Sequence, residues 1–438
     1  MRRFVIIGTG VAGISAAETI RQKDPAADIL VIGDEKHSFY SRPGLAYYLT
    51  GELNEQHLYP YSQQDFERLN QLPLRARVTR IYPSDHRIQL HDGTLIPYDG
   101  LLIATGAQAA PISLPGADLE GVVKLDNLDD ARHILNQTRR ARAAVVVGGG
   151  ITALEIVEGL RQRGVTTHYV LRRDRYWGNV LDETESRIVE HRLKEKGVHI
   201  HYHTELAEIN GKRGRVESIR TQVGQVIKCG IVAIAIGIRP RKELAVEAGV
   251  KSDRGILVNE HMRTSEGEIY AAGDVAQVYD PFTNRHVLDS LWGPAREQGR
   301  VAALNMLGEQ ALYHKDVAFN VTRLAGLTTT IVGTVSSGTD EDLIGIARGD
   351  SETWRQPPDA ITAQDDFDVN RLRLLVGART LSGAVVMGDQ SLSRAIHHFI
   401  KDRIDISSIR TKLLQPDAPI ADLIADFWTD RRAAFGTD

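Results

Sequence analysis

Short apolar runs followed by glycines recur along this chain, and they predict the inner strands of open α/β sheets. FVII at residues 4–7 stands directly before one glycine-rich stretch, and AVVV at residues 144–147 stands before another. After each stretch, apolar residues recur with the helical period. Strand, tight turn and helix therefore occur twice, about 140 residues apart. This order predicts an α/β protein with two Rossmann-like dinucleotide-binding domains.

The later apolar runs predict how these domains are arranged. GLLIATG at residues 100–106 and IVAIAIGIRP at residues 231–240 each read as a strand that ends in a turn. The first domain is predicted to be discontinuous, with residues 1–112 and 243–316. The second domain contains residues 113–242, and a C-terminal α+β domain contains residues 317–438. The last helix of the C-terminal region places five apolar residues on one face: Ile420, Leu423, Ile424, Phe427 and Trp428. We expect this face to pack on its own domain.

Both glycine-rich stretches carry residues that are suited to phosphate binding. The first contains Gly8, Gly10, Val11, Ala12 and Gly13, and the second contains Gly148, Gly150, Ile151, Thr152 and Ala153. The first glycine makes the tight turn, the second lets the backbone approach a pyrophosphate, and the third, glycine or alanine, lets helix pack on strand. The free N–H groups of the helix N-terminus then favour the negative phosphates. Two such sites suggest that electrons pass from one dinucleotide to another.

The residue that would bind the adenosine ribose differs between the two domains. Asp34 and Glu35 follow the strand at residues 28–32, about 21 residues after Gly13, near the spacing expected for a ribose-binding carboxylate.

In the second domain, Arg172 stands where this carboxylate would be, and Arg173 and Asp174 follow it. Arginine at this position predicts a preference for NADPH, because a guanidinium pairs with the 2′-phosphate. The alternative is that both arginines are solvated and Asp174 binds the ribose of NADH.

Composition narrows the class of protein. The 438 residues are enough for two or three domains. The net charge is −4 with no long basic run, so we expect no nucleic-acid partner. No apolar stretch reaches membrane-spanning length. Because a strand begins almost at residue 1, we expect no signal peptide and a cytoplasmic protein.

The single cysteine, Cys229, limits the redox chemistry. An electron relay through a cysteine pair needs two thiols, so this chain alone performs no disulfide chemistry. Cys229 lies in the run VIKCGIV at residues 226–232, which predicts a buried strand and an inert thiol.

Three histidines, His199, His201 and His203, alternate along another predicted strand and would share one face. They have no acidic or cysteine partner at a suitable spacing, so we predict a surface strand and no metal site.

The ordered motifs resemble those of one family, the FAD-dependent pyridine nucleotide oxidoreductases. The motifs are GTGVAG, FYSRPGLAYYL, LLIATG, GGGITALE, AIGIRP and IYAAGDVA. By this pattern the chain is similar to rubredoxin reductases, ferredoxin reductases, the flavin module of assimilatory nitrite reductases and apoptosis-inducing-factor-like proteins. The resemblance covers residues 1 to about 310 well and the C-terminal region loosely. It implies FAD in the first domain, NAD(P)H in the second, an interface role for the third, and hydride transfer from NAD(P)H to FAD.

The resemblance also implies roles for individual residues. On the FAD side these are Arg42 and Pro43 along the flavin, Val78 at the adenine, Ala104, Thr105 and Gly106 at the turn that passes FAD, Gly273 and Asp274 at the ribityl chain, and Trp292 and Pro294 in the helix aimed at the pyrimidine ring. On the coenzyme side they are Glu155, which fixes the nicotinamide amide, and Gly237 of the AIGIRP motif. The alternatives are a surface ion pair for Arg42 and a salt-bridged helix residue for Glu155.

The chain departs from its relatives at two positions near the flavin. Pro43 stands in the stretch where peroxide- and coenzyme-A-linked relatives have a catalytic cysteine, which excludes a cysteine sulfenate mechanism. Tyr47 stands where the apoptosis-inducing-factor pattern has a lysine. Hydride transfer needs no lysine, only coplanar rings, so we still expect the core reaction. We take Glu155, Arg42, Tyr47 and Trp292 as the candidate catalytic residues.

Without a cysteine relay, electrons must leave the flavin edge directly. We therefore expect a one-electron acceptor: rubredoxin, ferredoxin or a redox subunit of a larger complex. The alternatives are an NAD(P)H oxidase or quinone reductase that uses small acceptors, and a non-catalytic NAD(P)H-sensing flavoprotein. The sequence is also compatible with a homo-oligomer.

Overall fold

The chain folds into two compact units. The structure is a computed structural model and describes residues 1–69, 74–282, 284–335, 370–415 and 418–435. The larger unit contains Met1–Arg173 and Gly197–Lys315, and the smaller unit contains Asp174–Lys196 and the described residues from Asp316 onward. The boundaries at residues 112, 242 and 316 that the sequence suggested stay predictions.

The first dinucleotide fold of the larger unit is built around parallel strands. Its elements, in chain order, are β1 (Arg3–Ile7), α1 (Val11–Lys23), β2 (Asp28–Gly33), α2 (Gly44–Thr50), a 3₁₀ turn (Glu55–Leu58), α3 (Gln63–Arg68), β3 (Leu74–Arg75), β4 (Val78–Tyr82), a 3₁₀ turn (Pro83–Asp85), β5 (Arg87–Leu90), β6 (Leu95–Pro97) and β7 (Gly100–Ile103). β1 lies between β2 and β7, and all three run parallel. Residues 4–7 are buried, which explains why this central strand is continuously apolar.

A second set of elements repeats the pattern. In chain order they are β8 (Ala107–Ala109), β9 (Val122–Val123), α4 (Leu128–Thr138), β10 (Ala143–Val147), α5 (Ile151–Gln162), β11 (Thr166–Val170), α6 (Glu183–Glu195), β12 (His199–His201), β13 (Leu206–Lys212), β14 (Arg215–Thr221), β15 (Val226–Lys228), β16 (Ile231–Ile234) and β17 (Ile238–Pro240). All except α6 lie in the larger unit. A five-stranded parallel sheet has the order β12-β11-β10-β16-β9, and the antiparallel strands β13-β14-β15 form a separate sheet.

The chain then returns to the first fold. The elements are α7 (Glu243–Glu247), β18 (Ile256–Leu257), β19 (Ile269–Ala271), β20 (Ala276–Asp280), β21 (Arg285–Leu288) and α8 (Trp292–Met306). β19 pairs in parallel with β7 and completes a five-stranded sheet of order β19-β7-β1-β2-β3. The two five-stranded parallel sheets confirm the predicted Rossmann-like architecture.

The smaller unit is an α+β arrangement, as the sequence predicted. Besides α6 it contains β22 (Phe319–Leu324), β23 (Leu327–Gly333), β24 (Arg371–Val376), β25 (Leu381–Met387), α9 (Ser393–Lys401), α10 (Ser407–Leu413) and α11 (Ile420–Phe435). The strands form an antiparallel sheet of order β22-β23-β25-β24. Ile424 of α11 is buried in its core, and the other four apolar residues of that helix face pack against the same core. No helix in the described chain, these included, is long and apolar enough to cross a membrane.

The run at residues 226–232 is not the single strand that the sequence predicted. β15 pairs antiparallel with β14, whereas β16 pairs in parallel with β10, so the run serves two sheets. Cys229 lies between them, and its backbone N–H donates to the carbonyl of Glu217 at 3.1 Å. The thiol is buried, as expected, and burial raises its pKa to about 12.

The prediction that three alternating histidines share a strand face is wrong for His203. β12 ends at His201, and His203 adopts a left-handed backbone with φ of +49°. Instead, His168 of the neighbouring strand β11 lies on this face, with its Nδ1 3.0 Å from Nε2 of His201. His199 pairs with His168 in the register. Among the described residues, no group of three or more His, Cys, Asp or Glu side chains could hold a metal ion.

Candidate cofactor-binding sites

The first glycine loop is shaped by two close backbone contacts. Gly8 has a φ of +127°, and a Cβ on it would lie 2.0 Å from the carbonyl oxygen of Ala104. A Cβ on Gly13 would lie 2.1 Å from the carbonyl oxygen of Gly8. Real Cβ atoms do not approach this closely, so both positions require glycine. The turn therefore brings the end of β1, the end of β7 and the start of α1 together.

Gly10 has the opposite environment. A Cβ built on it would meet no described atom within 4 Å. Gly10 is also the N-cap of α1, and its position supplies no side-chain cap to the first N–H groups of that helix. Val11 and Ala12 follow as the first helical residues. Unsatisfied N–H groups beside open space fit a bound pyrophosphate.

The second loop repeats this arrangement. Gly148 has a φ of +149°, and a Cβ on it would lie 2.1 Å from the carbonyl oxygen of Ala235. The space beside Gly149 and Gly150 is open, and Gly150, the N-cap of α5, supplies no side-chain cap. Ala153 is fully buried at the third position, where the first loop required Gly13. The second loop thus fits a pyrophosphate too.

The two acidic residues after β2 have different surroundings. Asp34 is exposed. Glu35 is half-buried, and its carboxylate accepts hydrogen bonds from the guanidinium of Arg42 and from the hydroxyl of Tyr40, the latter at 2.8 Å. Burial raises the pKa of Tyr40 well above its usual range, so this phenol stays a donor. Asp34 is therefore the more accessible of the two carboxylates, whereas Glu35 orients Arg42.

Arg42 is held from a second side. Its guanidinium donates to the backbone carbonyl of Asp126, whose buried carboxylate lies 3.3 Å from Nη2 of Arg241. The hydroxyl of Thr105 donates to the backbone carbonyl of Arg241 at 2.7 Å. This network joins the Arg-Pro segment to the turn at Thr105 and Gly106. Sequence reasoning missed Asp126 and Arg241, because their roles arise from contacts between distant segments.

The Gly-Asp motif after β19 is also anchored. The buried N–H of Gly273 donates to Oε1 of Gln298 at 2.8 Å, and Nε2 of Gln298 donates to the hydroxyl of Tyr313 at 3.3 Å. Gln298 is fully buried on α8. It therefore fixes the backbone immediately before Asp274, which is partly buried. Sequence reasoning assigned no role to Gln298, and only the fold reveals its partners.

α8 begins beside an aromatic pair. Trp292, its first residue, stacks on the buried ring of Phe39 with a centroid distance of 5.7 Å and an interplanar angle of 22°. Pro294 lies in the first turn, and Leu291 at the N-cap supplies no side-chain acceptor. Ser290 lies next to it, and its buried hydroxyl has no hydrogen-bond partner in the described chain. An orphaned hydroxyl beside an uncapped helix N-terminus fits a polar, electron-rich ligand.

The remaining candidates occupy the two folds as follows. On the FAD side, Tyr47 is half-buried on α2 and Val78 is buried in the core of the first fold. On the coenzyme side, Thr152 and Glu155 are half-buried on α5, and Gly237 has open space beside it. Arg172 and Arg173 are exposed after β11. Asp174 of the smaller unit forms an ion pair with Arg175 at 2.8 Å.

Comparison with known proteins agrees with this geometry. Residues 2–299 match the family model described as pyridine nucleotide-disulphide oxidoreductase. A probable ferredoxin reductase of Castellaniella defragrans is 32% identical over 315 residues, which are 70% of this chain and 76% of that protein. Nitrite reductase [NAD(P)H] of Bacillus subtilis is 28% identical over 421 residues, which are 95% of this chain and 49% of that protein. The chain thus spans about half the length of the nitrite reductase.

A solved structure supports the fold. A ferredoxin reductase from Rhodopseudomonas palustris superimposes with a TM-score of 0.82 at 23% identity, over 96% of this chain and 99% of that one. Its fold and the family match agree with the two parallel sheets and their glycine loops. The chain therefore belongs to the pyridine nucleotide-disulphide oxidoreductase family and is an FAD-dependent NAD(P)H oxidoreductase.

Proposed function

We propose that this protein takes electrons from NAD(P)H and delivers them to a redox carrier protein of the iron–sulfur or rubredoxin type, or to a redox subunit of a larger complex. The observation that carries the proposal is the pair of uncapped glycine loops in one unit of a chain whose single cysteine is buried. When bound, FAD accepts a hydride from NAD(P)H and can release the electrons one at a time. The protein itself binds the two cofactors and orients them.

The first fold would bind FAD at four places. The N–H groups at the start of α1 hold the pyrophosphate, and Asp34 accepts from the adenosine ribose. Asp274, with its backbone fixed by the bond between Gly273 and Gln298, holds the ribityl chain. Arg42, clamped between Glu35 and Asp126, lies along the flavin. Because these partners hold Arg42 before any ligand binds, little side-chain entropy is lost on binding.

The second fold would bind the coenzyme in the same way. The start of α5 holds its pyrophosphate, and Glu155, one turn further along the helix, fixes the nicotinamide amide. The exposed Arg172 and Arg173 favour NADPH, since guanidinium groups pair with a 2′-phosphate. Their exposure leaves both side chains accessible to such a ligand.

At the reacting end, α8 would point its N-terminus at the flavin. The helix dipole there stabilises negative charge on the pyrimidine ring. The stacked Trp292 and Phe39 would cover one side of this end and limit the access of water to it. Tyr47 takes the place where a lysine stands in the apoptosis-inducing-factor pattern, and it would orient the ring without adding a charge.

A protein acceptor follows from two considerations. The one cysteine is buried between β15 and β16, so no thiol relay within the described chain competes for the electrons. The relatives reported above are, by name, a ferredoxin reductase and a nitrite reductase, and the latter aligns over 95% of this chain. We also propose that the protein acts in the cytoplasm, the compartment expected from the sequence.

An anaerobic titration tests the proposal. The FAD-loaded protein is mixed with NADPH or with NADH while the visible flavin band is followed. Stoichiometric bleaching by NADPH in preference to NADH is expected. The reduced protein is then offered a ferredoxin, a rubredoxin, a quinone or dioxygen. Fast reoxidation by an iron–sulfur protein supports the proposed acceptor, whereas fast reoxidation by quinone or dioxygen alone would replace it with the oxidase or quinone reductase alternative.

A further inference from the structure

Two helices from different dinucleotide folds touch through a glycine. A Cβ built on Gly159 of α5 would lie 2.8 Å from Cβ of Leu49 on α2 and 3.7 Å from its Cα. Leu49 is 1% exposed and Gly159 is buried, so the contact between the two helices is shielded from solvent. At the present separation of the two helices, a side chain at position 159 would clash with Leu49.

An arginine one turn further along α5 fastens the same contact. Nε of Arg163 donates to the carbonyl of Leu49 at 3.1 Å, and Nη2 donates to the carbonyl of Tyr48 at 3.4 Å. These carbonyls lie at the C-terminus of α2, which ends at Gly51 with a φ of +86°. The guanidinium thus caps α2 from a helix of the other fold.

Both helices begin at the candidate sites. α2 starts directly after Pro43. At a rise of 1.5 Å per residue, Pro43 lies about 9 Å along the helix axis from Leu49. On α5, Glu155 lies about 6 Å along the axis before Gly159. Glu155 and Gly159 are four residues apart and share a helix face. The contact between Gly159 and Leu49 is therefore one to two helical turns from the residues assigned to the flavin and to the nicotinamide.

We propose that Gly159 and Arg163 are positioning residues that set the separation between the flavin and nicotinamide half-sites. This inference rests on the proposed function. A hydride passes only when the reacting atoms lie about 3–3.5 Å apart, and a misplacement of about 1 Å can cost about 100-fold in rate. A side chain at position 159 would push α5 from α2 by a distance of this order, while each glycine loop keeps its own shape.

The test compares Gly159→Ala and Gly159→Val with wild type in stopped-flow reduction by NAD(P)H. The limiting rate of flavin reduction is expected to fall at least ten-fold for alanine and further for valine. The Kd of the coenzyme and the FAD content are expected to change less than two-fold. Alanine has a higher intrinsic helix propensity than glycine, so a slower reaction could not come from a weaker intrinsic preference of α5 for the helix. Gly267→Ala is the matched control, because open space surrounds this exposed residue.

Arg163→Gln supplies a second test that leaves the helix contact intact. It removes the fork that joins two carbonyls of α2, and a three-fold or larger loss in the limiting rate is expected. Full FAD content with wild-type rates in both Gly159→Ala and Arg163→Gln would overturn the inference, even if their melting temperatures fell. If neither coenzyme reduces the wild-type protein, the proposed function fails and the inference with it. Rapid reduction of wild type and both variants overturns the inference alone.

Discussion

The guanidinium of Arg42 donates a hydrogen bond to the carboxylate of Glu35, while the neighbouring Asp34 is exposed. The two acidic residues therefore have separate tasks, and we predict that Asp34→Asn weakens FAD binding by at least ten-fold. A hydrogen bond to a charged group contributes about 1.5–3 kcal/mol. Titration of the apoprotein with FAD, followed by flavin fluorescence, measures the loss.

Glu35→Gln is the comparison for this prediction. The glutamine keeps an acceptor for Tyr40 and removes the charge that pairs with Arg42, so FAD affinity should change little while the rate of flavin reduction falls. Equal losses of FAD affinity in both variants would contradict the division of tasks.

Gln298 supports the Gly-Asp motif through one buried hydrogen bond. We predict that Gln298→Leu lowers the free energy of unfolding by about 1–3 kcal/mol, because the N–H of Gly273 is then buried without an acceptor. FAD should also dissociate faster, since the backbone beside Asp274 loosens. Denaturant unfolding and the rate of FAD release measure these effects. Tyr313→Phe is the control, because it removes only the other hydrogen-bond partner of Gln298. If Tyr313→Phe released FAD faster than Gln298→Leu does, the result would count against the prediction.

Arg172 and Arg173 are predicted to select NADPH. Replacing both with alanine should lower kcat/KM for NADPH at least ten-fold and leave kcat/KM for NADH within about two-fold, because a charge-assisted bond to phosphate contributes about 1.5–3 kcal/mol. Steady-state kinetics with both coenzymes measure the change. Arg139→Ala combined with Arg140→Ala is the control, since these arginines form another exposed pair, at the end of α4. No fall with either coenzyme would favour the alternative in which the arginines are solvated and Asp174 binds the ribose.

Cys229 is predicted to be dispensable for turnover. Burial raises its pKa to about 12, so the thiol is protonated at neutral pH and hidden from reagents. Cys229→Ala should keep kcat within two-fold of wild type, and iodoacetamide should modify the native protein only after it unfolds. Loss of activity on alkylation of the folded protein would contradict both statements.

The glycine loops could be predicted from the sequence because their geometry is local. Gly8 and Gly148 adopt left-handed backbone angles within a few residues of the strands that precede them. A short pattern therefore suffices to place the turn, the helix start and the phosphate site. The same holds for the buried apolar strands, whose continuous hydrophobicity reflects burial on both faces.

The residues that support the site, and the exact ends of some strands, depend on contacts between distant segments that no short sequence pattern indicates. Asp126 supports Arg42 from 84 residues away, and Thr105 bonds Arg241 from 136 residues away. The run around Cys229 was misread because an apolar stretch does not indicate which sheet each half will join. His203 was misread because a strand's end depends on its neighbour: His201, the last residue of β12, pairs with Val170, the last residue of β11.

The pair of His168 and His201 predicts a loss of stability in mild acid. Burial, followed by the charge of neighbouring histidines, lowers the pKa of both imidazoles. Their pKa in the unfolded chain is about 6.5, so this pair does not lower the free energy of unfolding above that pH. Below it, the unfolded chain binds protons that the folded state does not, and stability falls until the folded pKa values are reached.

Urea unfolding at pH 7 and at pH 5 should therefore show a larger fall in stability for wild type than for His168→Gln, which removes one of the two half-buried imidazoles. His91→Gln is the control, because His91 is exposed in the turn between β5 and β6. If His168→Gln loses as much stability between the two pH values as wild type and His91→Gln do, another group is responsible. A smaller loss in His168→Gln alone would assign the acid sensitivity to the edge of the second parallel sheet, because β12 is its outer strand.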